Sequence, residues 1–416
     1  MACFKRITIF RPLRPYLALL LTLMMVTVVL EYHHLKMLVE SHSLHPLTTH
    51  WQSIDLQKII RLERDTTIIR PQIAADRCKD AKRNANGRLC IIIMVTSSPV
   101  NKDARKAVRE TWAHKSLLPS NVTVLFILGR TMDEFVMKSI YEEAMVHRDI
   151  VVEDFIDSYE NLTLKSLFSL KWVSNNCEGA THLMKTDDDM LILTENLEKI
   201  LLEINLKINF DKSSAKSDGN FRQTNYIKNH SIQQQIYSPH LNGTKEISTT
   251  GIYILGYLYQ KVKPIRDKDS KWFLPYTLYP KEYLPDFISG TAYIIAAGNG
   301  LQRTMKAILM NSLLSESVLP LEDVFITGII ANQAMDIPLL RGNLLFHKTN
   351  PLIFPWSVSE IATCFYHHSI AIHGLKASEI IKGWQFIKRI NQEKCTSLTA
   401  YFYKSFFSVL VLFGLA

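Results

Sequence analysis

The sequence predicts an α/β fold in which helices cover a mainly parallel sheet, and three observations support this prediction. Short β-branched segments, of which residues 91–95 are the clearest, alternate with longer segments of helical period. Four such strands are predicted between residues 91 and 184, and strand–helix alternation is typical of parallel sheets. The triplet Asp187-Asp188-Asp189 follows the fourth strand, at the edge where open α/β sheets collect ligands.

The individual elements can be placed from the same patterns. A helix over residues 101–112 follows the first strand, and a helix over residues 132–146 follows the second. Leu164, Phe168 and Trp172 recur every four residues, which gives a third helix an apolar packing face. The predicted strands comprise residues 91–95, 122–128, 150–152 and 182–184.

The second half of the chain is less regular. Residues 153–160 are acidic and aromatic and are expected to form a loop, and residues 207–250 are polar and are interpreted as a long exposed insertion. Gly290 is expected to allow close backbone approach at a turn, and residues 302–313 predict a helix. The pair Glu322-Asp323 opens an apolar segment, and carboxylates at such a place are typical of a helix N-terminus.

The composition is that of a globular protein with excess positive charge. Of the 416 residues, 47% are hydrophobic and 21% are charged, which excludes a disordered chain. The net charge of +9 suits a protein that binds nucleotide phosphates as well as one that binds nucleic acid. The sequence has neither zinc-finger spacing nor a basic helix, so we expect no nucleic-acid partner.

The N-terminus is predicted to anchor the chain in a membrane. The apolar run at residues 12–30 approaches the roughly 20 residues needed to cross a bilayer. Basic residues at and before its start keep a short tail at residues 1–11 cytosolic and send the remainder into the lumen. A cleaved signal peptide is the alternative, which the lack of a small-residue cleavage pattern disfavours. The short span suits the Golgi membrane.

Two features agree with a lumenal location. Five of the six cysteines lie beyond the predicted anchor, where disulfides can form. Acceptor sequences for N-glycosylation occur at Asn121, Asn161, Asn229 and Asn242. After the anchor we expect a lumenal stem over residues 31–87, a folded domain over residues 88–390 and an apolar tail of unknown role over residues 391–416.

The acidic triplet is the strongest candidate for chemistry. Three adjacent carboxylates repel one another, and a hard cation such as Mg²⁺ or Mn²⁺ would relieve that repulsion. An acidic surface turn is the alternative, and the spacing alone does not decide between them. Arg105, Arg109 and Trp112 share one face of the first helix, which is either a solvated basic face or a face near a diphosphate.

Taken together, these segments resemble the β1,3-galactosyltransferase family, which includes β1,3-N-acetylglucosaminyltransferases and, more distantly, Fringe-like enzymes. Any one motif is weak, whereas their order over roughly residues 88–385 is specific. The matching stretches are residues 104–112, 126–129, 154–159, 161–165, 185–189, 271–272, 279–280, 289–290 and 322–325.

The resemblance implies a GT-A fold, that is, a Rossmann-like mixed sheet flanked by helices, with a metal-binding Asp-x-Asp and an acceptor half. It also implies inverting transfer of a hexose from a UDP-sugar to the 3-hydroxyl of an acceptor sugar on a glycoprotein or glycolipid. Arg105 and Arg109 belong to a family motif of the nucleotide-binding half, and we assign them to support of the donor.

The resemblance also assigns roles to single residues. By position, Asp189 and His373 would ligate Mn²⁺ together with Asp187. Asp187 and Asp188 would lie nearer the ribose and sugar of the donor, and Asp323 would be the general base. We expect galactose as the transferred sugar because it is frequent in the family, with N-acetylglucosamine and N-acetylgalactosamine as alternatives.

A rival interpretation from another class is a catalytically inactive lumenal sugar-binding protein, or an assembly partner of an active transferase. The intact triplet, Asp323 and His373 argue against it. The sequence leaves open whether the protein forms homo- or hetero-oligomers. It also departs from the family at Ile288, where many members have a cysteine before the Ser-Gly pair.

Overall fold

The computed structural model describes residues 65–71, 89–214, 251–348 and 369–389. The predicted anchor, most of the stem and the insertion, and the apolar tail lie outside these ranges. Within them, no helix is long and apolar enough to cross a bilayer. All described residues belong to one compact unit except Asp267–Lys271, which are part of a second, small unit.

Eleven strands are present in the described residues. In chain order they are β1 (Thr67–Ile69), β2 (Ile91–Thr96), β3 (Val122–Arg130), β4 (Ile150–Ile156), β5 (His182–Asp187), β6 (Leu191–Ile192), β7 (Tyr253–Tyr259), β8 (Phe287–Ala296), β9 (Leu339–Arg341), β10 (Phe346–His347) and β11 (Ala371–Ile372).

The strands form one large mixed sheet and one small sheet. The large sheet has the order β1-β4-β3-β2-β5-β8-β7-β9, and the small one the order β10-β11-β6. Strands β4, β3, β2 and β5 are mutually parallel, which confirms the four predicted parallel strands. Strand β8 runs antiparallel to both of its neighbours, β5 and β7. Strand direction therefore reverses next to β5, the strand that carries the acidic triplet.

Besides two single-turn 3₁₀ helices at Tyr159–Asn161 and Gly298–Gly300, seven longer helices accompany the sheets in the described residues. They are α1 (Lys102–Glu110), α2 (Glu134–His147), α3 (Leu162–Asn176), α4 (Thr194–Ser214), α5 (Leu301–Leu314), α6 (Val324–Ala334), which is wound as a π-helix, and α7 (Ala377–Arg389). The three predicted helices before the triplet and the one at residues 302–313 are confirmed. Because α4 continues through Ser214, the start of the predicted polar insertion is helical.

The central strand β2 shows why the sequence predicts a strand buried on both faces. Ile92 and Met94 point into a core that contains α3 and α5. Ile91 and Ile93 point into a second core that contains α1 and α4. All four side chains are fully buried, and each such burial contributes about 1.5–3 kcal/mol. Helices therefore cover both faces of the sheet, as in other α/β sandwiches.

One predicted boundary was wrong. The acidic segment at residues 153–160, expected to be a loop, continues strand β4 as far as Ile156. Glu153 is buried there because the edge strand β1 pairs with β4. The hydroxyl groups of Thr66 and Thr67 donate hydrogen bonds of 2.6 and 2.8 Å to its carboxylate. Edge pairing with a segment distant in sequence therefore overrides the local polarity.

Buried ion pairs join α1 to α2. The Arg105 guanidinium donates to both Glu143 carboxylate oxygens, at 2.9 and 2.8 Å, and both side chains are almost completely buried. Arg109 donates to Glu143 at 2.6 Å and pairs with Asp149 at 2.8 and 2.9 Å. Both arginines thus neutralise carboxylates that have little access to water, so this face of α1 is not solvated.

This network predicts a large stability effect at one position. Arg105→Met should lower the free energy of unfolding by about 3–5 kcal/mol, because it leaves Glu143 buried without its bidentate partner. The matched control is Lys106→Met on the same helix, whose side chain is 68% exposed and 3.9 Å from Glu110. That change should stay within about 0.5 kcal/mol. Urea denaturation followed by circular dichroism measures both, and equal losses would contradict the interpretation.

Candidate active site

The acidic triplet lies at the centre of the large sheet. Asp187 is the last residue of β5, and it is in register with Thr96, the last residue of the parallel strand β2. On its other side β5 is paired with the antiparallel strand β8. The triplet therefore stands at the carboxyl ends of two central strands, beside the reversal of strand direction. Open α/β sheets bind their ligands at such positions.

The segment that follows β2 holds Asp187 and Asp188. The Thr96 hydroxyl donates a short hydrogen bond to Asp187 Oδ1. Ser97 Oγ and Asn101 Nδ2 donate to Asp188 Oδ2 at 2.7 and 3.0 Å. Asp188 is 8% exposed, and burial raises the pKa of its carboxyl although these two donors act in the opposite direction. Asp188 is consequently turned into the protein, and its predicted role near the donor sugar stays a prediction.

Arg105 supports the same segment from behind. Its Nη1 donates to Ser97 Oγ at 3.1 Å and to the Ser98 carbonyl at 2.7 Å. Arg105 thereby fixes the hydroxyl that holds Asp188. Arg109 lies further along α1, and its guanidinium donates hydrogen bonds to Glu143 and Asp149. Both guanidinium groups thus bind groups of the protein itself. That either arginine supports the donor directly stays a prediction.

Asp189 and His373 meet although 184 positions separate them in the sequence. His373 Nε2 lies 3.3 Å from Asp189 Oδ2. The Leu375 N–H donates to the Asp189 carbonyl, which fixes the two backbones to each other. Burial lowers the pKa of His373, but the hydrogen bond and charge of Asp189 outweigh it, so the pKa is raised. The sequence-predicted metal ligands Asp189 and His373 are therefore neighbours.

Two features of this pair suit a divalent cation. Asp189 Oδ1 is buried and has no hydrogen-bond partner within the described residues, so it is an unused ligand atom. His373 Nδ1 is 2.8 Å from the Lys348 carbonyl, a contact that orients the ring with Nε2 toward Asp189. Among the described residues no group of three metal-ligating side chains converges. One or two protein ligands are typical of Mg²⁺-like ions whose other ligands are phosphate and water.

A buried lysine connects the triplet to the other half of the site. Lys185 is in β5 two residues before Asp187, so both side chains point to the same face of the sheet. Its ammonium lies 2.8 Å from Asp187 Oδ1, 3.0 Å from Glu322 Oε1 and 2.5 Å from the Gly290 carbonyl. Burial lowers the pKa of Lys185, but Asp187 and Glu322 outweigh it, so the pKa is raised. Lys185 therefore stays positively charged.

Glu322 and Asp323 directly precede the π-helix α6, and Asp323 is its N-cap. Asp323 Oδ1 accepts from the Val324 N–H at 2.8 Å, which confirms the predicted helix N-terminus. Its Oδ2 accepts from the Gly290 N–H at 3.1 Å. Burial raises the pKa of both carboxyls, and that of Glu322 rises to about 7 because Lys185 only partly offsets the burial. The helix N-terminus is thus also a pair of carboxyls with raised proton affinity.

At Gly290 strand β8 closely approaches the carboxyl pair that precedes α6. A Cβ atom at this position would lie 2.3 Å from Glu322 Oε1 and 3.2 Å from Asp323 Cβ. The predicted close approach is confirmed, although Gly290 lies inside strand β8 rather than in a turn. A residue with a side chain here would displace the carboxyl pair.

Several residues near the site are absent from the sequence-based assignments. Tyr159 precedes α3, and burial together with the charges of Asp323 and Asp187 raises its pKa to about 12. The Lys348 ammonium lies over the rings of Tyr257 and Tyr259, 4.2 and 4.4 Å from their centroids. Lys185 could have been identified from the sequence, because residues two apart in a strand point to the same face and Asp187 is a candidate site residue. The contact of Lys348 with Tyr257 and Tyr259 could not, because no local pattern shows that the end of β10 lies beside β7.

With this geometry the chain can be compared with known proteins. The sequence model of the galactosyltransferase family matches residues 103–245 and 240–340. The matched ranges include the acidic triplet, Gly290 and the pair at the start of α6. The chain belongs to this family, and the resemblance seen in the sequence is confirmed.

Among individual relatives, β-1,3-galactosyltransferase 2 of Homo sapiens is 29% identical over 310 residues, which cover 74% of this chain and 60% of that protein. The chain thus spans about three fifths of that relative's length. β-1,3-Galactosyltransferase 1 of Mus musculus is 28% identical over 306 residues, covering 73% of this chain and 76% of the relative. A solved galactosyltransferase, LgtC, overlaps 73% of this chain and 96% of its own at 7% identity, with a TM-score of only 0.31.

The close approach at Gly290 predicts a paired result. Gly290→Ala should lower the free energy of unfolding by about 1–3 kcal/mol, because the new methyl group overlaps the Glu322 carboxylate. Gly300→Ala is the control, because a Cβ there meets no atom within 4 Å. It should change stability by less than about 0.5 kcal/mol. Urea unfolding of both variants provides the comparison, and a neutral Gly290→Ala would show that Glu322 can move freely.

Proposed function

We propose that the chain is an inverting β1,3-galactosyltransferase. It transfers galactose from UDP-galactose to the 3-hydroxyl of an acceptor sugar on a glycoprotein or glycolipid. The observation that carries the proposal is the fixed carboxylate of Asp323, which Lys185 and Gly290 link to the triplet at the end of β5. Family membership and the two named relatives support the choice of galactose and of the β1,3 linkage.

Asp323 is the proposed general base. Backbone N–H groups hold both of its oxygens, so its orientation does not depend on a flexible partner. Burial raises its pKa, which brings its proton affinity closer to that needed at neutral pH. Asp323 would accept the proton of the attacking 3-hydroxyl, and general-base catalysis of this kind contributes about 10²–10⁴-fold to the rate.

The other end of the site would hold the leaving group. Asp189 and His373 would ligate Mn²⁺ with Asp187 nearby, which fits the unused oxygen of Asp189 and the orientation of the imidazole. When bound, the ion supplies charge neutralisation for the diphosphate. Asp187 and Asp188 would face the ribose and sugar of the donor. Arg105 would act indirectly, through Ser97, by keeping Asp188 in place.

The reaction proposed is a single displacement. The acceptor oxygen forms a bond to C1 of galactose while the bond from C1 to the phosphate oxygen breaks, and the electron pair leaves with UDP. The hydroxyl proton passes to Asp323. Because attack occurs on the face opposite the leaving group, the α-linked donor gives a β-linked product.

The cellular setting is part of the same proposal. The apolar run at residues 12–30 and the basic residues beside it support a type II anchor in the Golgi membrane, with the catalytic domain in the lumen. Acceptor glycans and UDP-sugars meet in such a compartment. Immunofluorescence of the full-length chain against a Golgi marker tests this location, and a cytosolic signal would contradict it.

The first functional test uses a panel of UDP-sugars. The purified protein should transfer galactose in a Mn²⁺-dependent reaction, and Asp323→Asn should lower kcat by about 10²–10⁴-fold. UDP binding measured by calorimetry should be unchanged in that variant, because Asp323 lies away from the leaving group. The control is Glu110→Gln, an exposed carboxyl at the end of α1. Transfer by Asp323→Asn at the wild-type rate would rule out this base, and a preference for another UDP-sugar would correct the donor.

The raised pKa of Asp323 predicts a pH dependence. The base must be deprotonated, so kcat should fall as pH decreases through the pKa of Asp323. The ordinary pKa of an aspartate is about 3.9. Since burial raises the pKa of Asp323, the acid limb of the kcat profile should lie above that value. Initial rates measured at saturating substrate concentrations between about pH 4 and pH 8 locate the acid limb of the kcat profile. A kcat that stays constant down to the ordinary aspartate pKa would contradict the assignment.

A further inference from the structure

We infer that Lys185 is a positioning residue for transfer. Its ammonium binds both Asp187 on the donor side and Glu322, and it thereby fixes the position of the neighbouring base Asp323 relative to the donor. This inference rests on the proposed function, because it assigns Asp187 to the donor end and Asp323 to the acceptor end. Lys185 itself need not touch either substrate.

The contacts of Lys185 span two elements besides its own strand. Its ammonium reaches Asp187 at the end of β5, the carbonyl of Gly290 in β8 and the carboxylate of Glu322 before α6. Gly290 carries a second contact, because its N–H donates to Asp323. The same glycine is therefore bound to the lysine on one side and to the base on the other. A shift of the ammonium would move both carboxyls of the pair.

The charges around Lys185 explain why a cation is needed. Besides burial, the nearby charges of Asp323 and Asp187 raise the pKa of Glu322, and Tyr293 and Tyr159 beside these groups are neutral hydroxyls. Within the described part of the chain, Lys185 is the one cation in ion-pair contact with Asp187 or Glu322. Without it, the carboxylates of β5 and α6 would repel one another, and the distance between the two ends of the site would increase.

Burial makes this lysine different from a surface cation. Lys185 is 3% exposed and Glu322 is 6% exposed, so water contributes little screening to their contact. Apart from Lys185, the carboxylate of Glu322 has no polar partner among the described residues. A merely structural ion pair would predict loss of stability on truncation and nothing more. A positioning role predicts, in addition, a loss of turnover that persists when stability is restored.

The experiment compares three variants of the full-length protein. Lys185→Met removes the charge and keeps the length of the side chain. Lys185→Met combined with Glu322→Gln also removes the buried carboxylate that would be left unpaired. Lys171→Met is the matched control, because Lys171 is another buried lysine, 4% exposed, and it interacts with Thr66 and Glu153 at the edge of the sheet. For each variant the thermal midpoint, the Kd for UDP with Mn²⁺, and kcat and KM for UDP-galactose and acceptor are measured.

We expect Lys185→Met to lower kcat by about 100-fold, the effect of misplacing a reacting group by roughly 1 Å. The Kd for UDP should change by less than about tenfold, because the uridine and diphosphate contacts remain. The double variant should recover the thermal midpoint and keep the low kcat, because no ammonium then ties β5 to the segment before α6 and Asp187 and Asp323 still carry like charges. Lys171→Met should lose stability and keep the wild-type kcat.

Two results would overturn the inference alone: a wild-type kcat in Lys185→Met, or recovery of kcat in the double variant. Either would reduce Lys185 to a structural partner of Glu322. If Lys185→Met alone fails to fold, the double variant decides the question by the same kcat comparison. A wild-type protein that binds no UDP with Mn²⁺ would instead overturn the proposed function, and with it the inference.

Discussion

The ammonium of Lys185 is the interaction on which the arrangement of the site depends. It reaches carboxylates on two different elements, the half-buried Asp187 at the end of β5 and the buried Glu322 just before α6. Bringing these groups together without a cation would be unfavourable, because carboxylates of like charge raise one another's free energy. With Lys185 in place, the acidic end of a central strand and the N-terminus of a π-helix can face the same space.

The scaffold around this contact is rigid for reasons that can be named. The core strands β2 and β5 are buried on both faces, so the positions of Thr96 and Asp187 are fixed by packing. Behind them the Arg105–Glu143 pair holds the segment that carries Ser97, which in turn holds Asp188. Asp187 and Asp188 thus have fixed partners in β2, in the segment that follows it and in Lys185. That is the condition a preorganised site must meet.

Much of this arrangement could be predicted from the sequence, and the failures have physical causes. The parallel strands and their helices follow from periodicity, and the position of the triplet after a buried strand follows from its apolar run. Local patterns could not reveal the edge pairing that turns the acidic segment after Ile150 into strand. Nor could they show that Arg105 is buried, because its partner Glu143 is on another helix. The contacts between Asp189 and His373 and between Lys185 and Glu322 depend on tertiary structure in the same way.

The stereochemistry of the product tests the central claim most directly, since the proposed displacement, with Asp323 as the base on the face opposite the leaving group, permits only one outcome. Nuclear magnetic resonance of the oligosaccharide formed from UDP-galactose and a synthetic acceptor gives both the anomeric configuration and the linkage position. A β-linked galactose on the acceptor's 3-hydroxyl is predicted. An α-linked product, or hydrolysis of the donor to free galactose with no transfer, would contradict a single displacement assisted by Asp323.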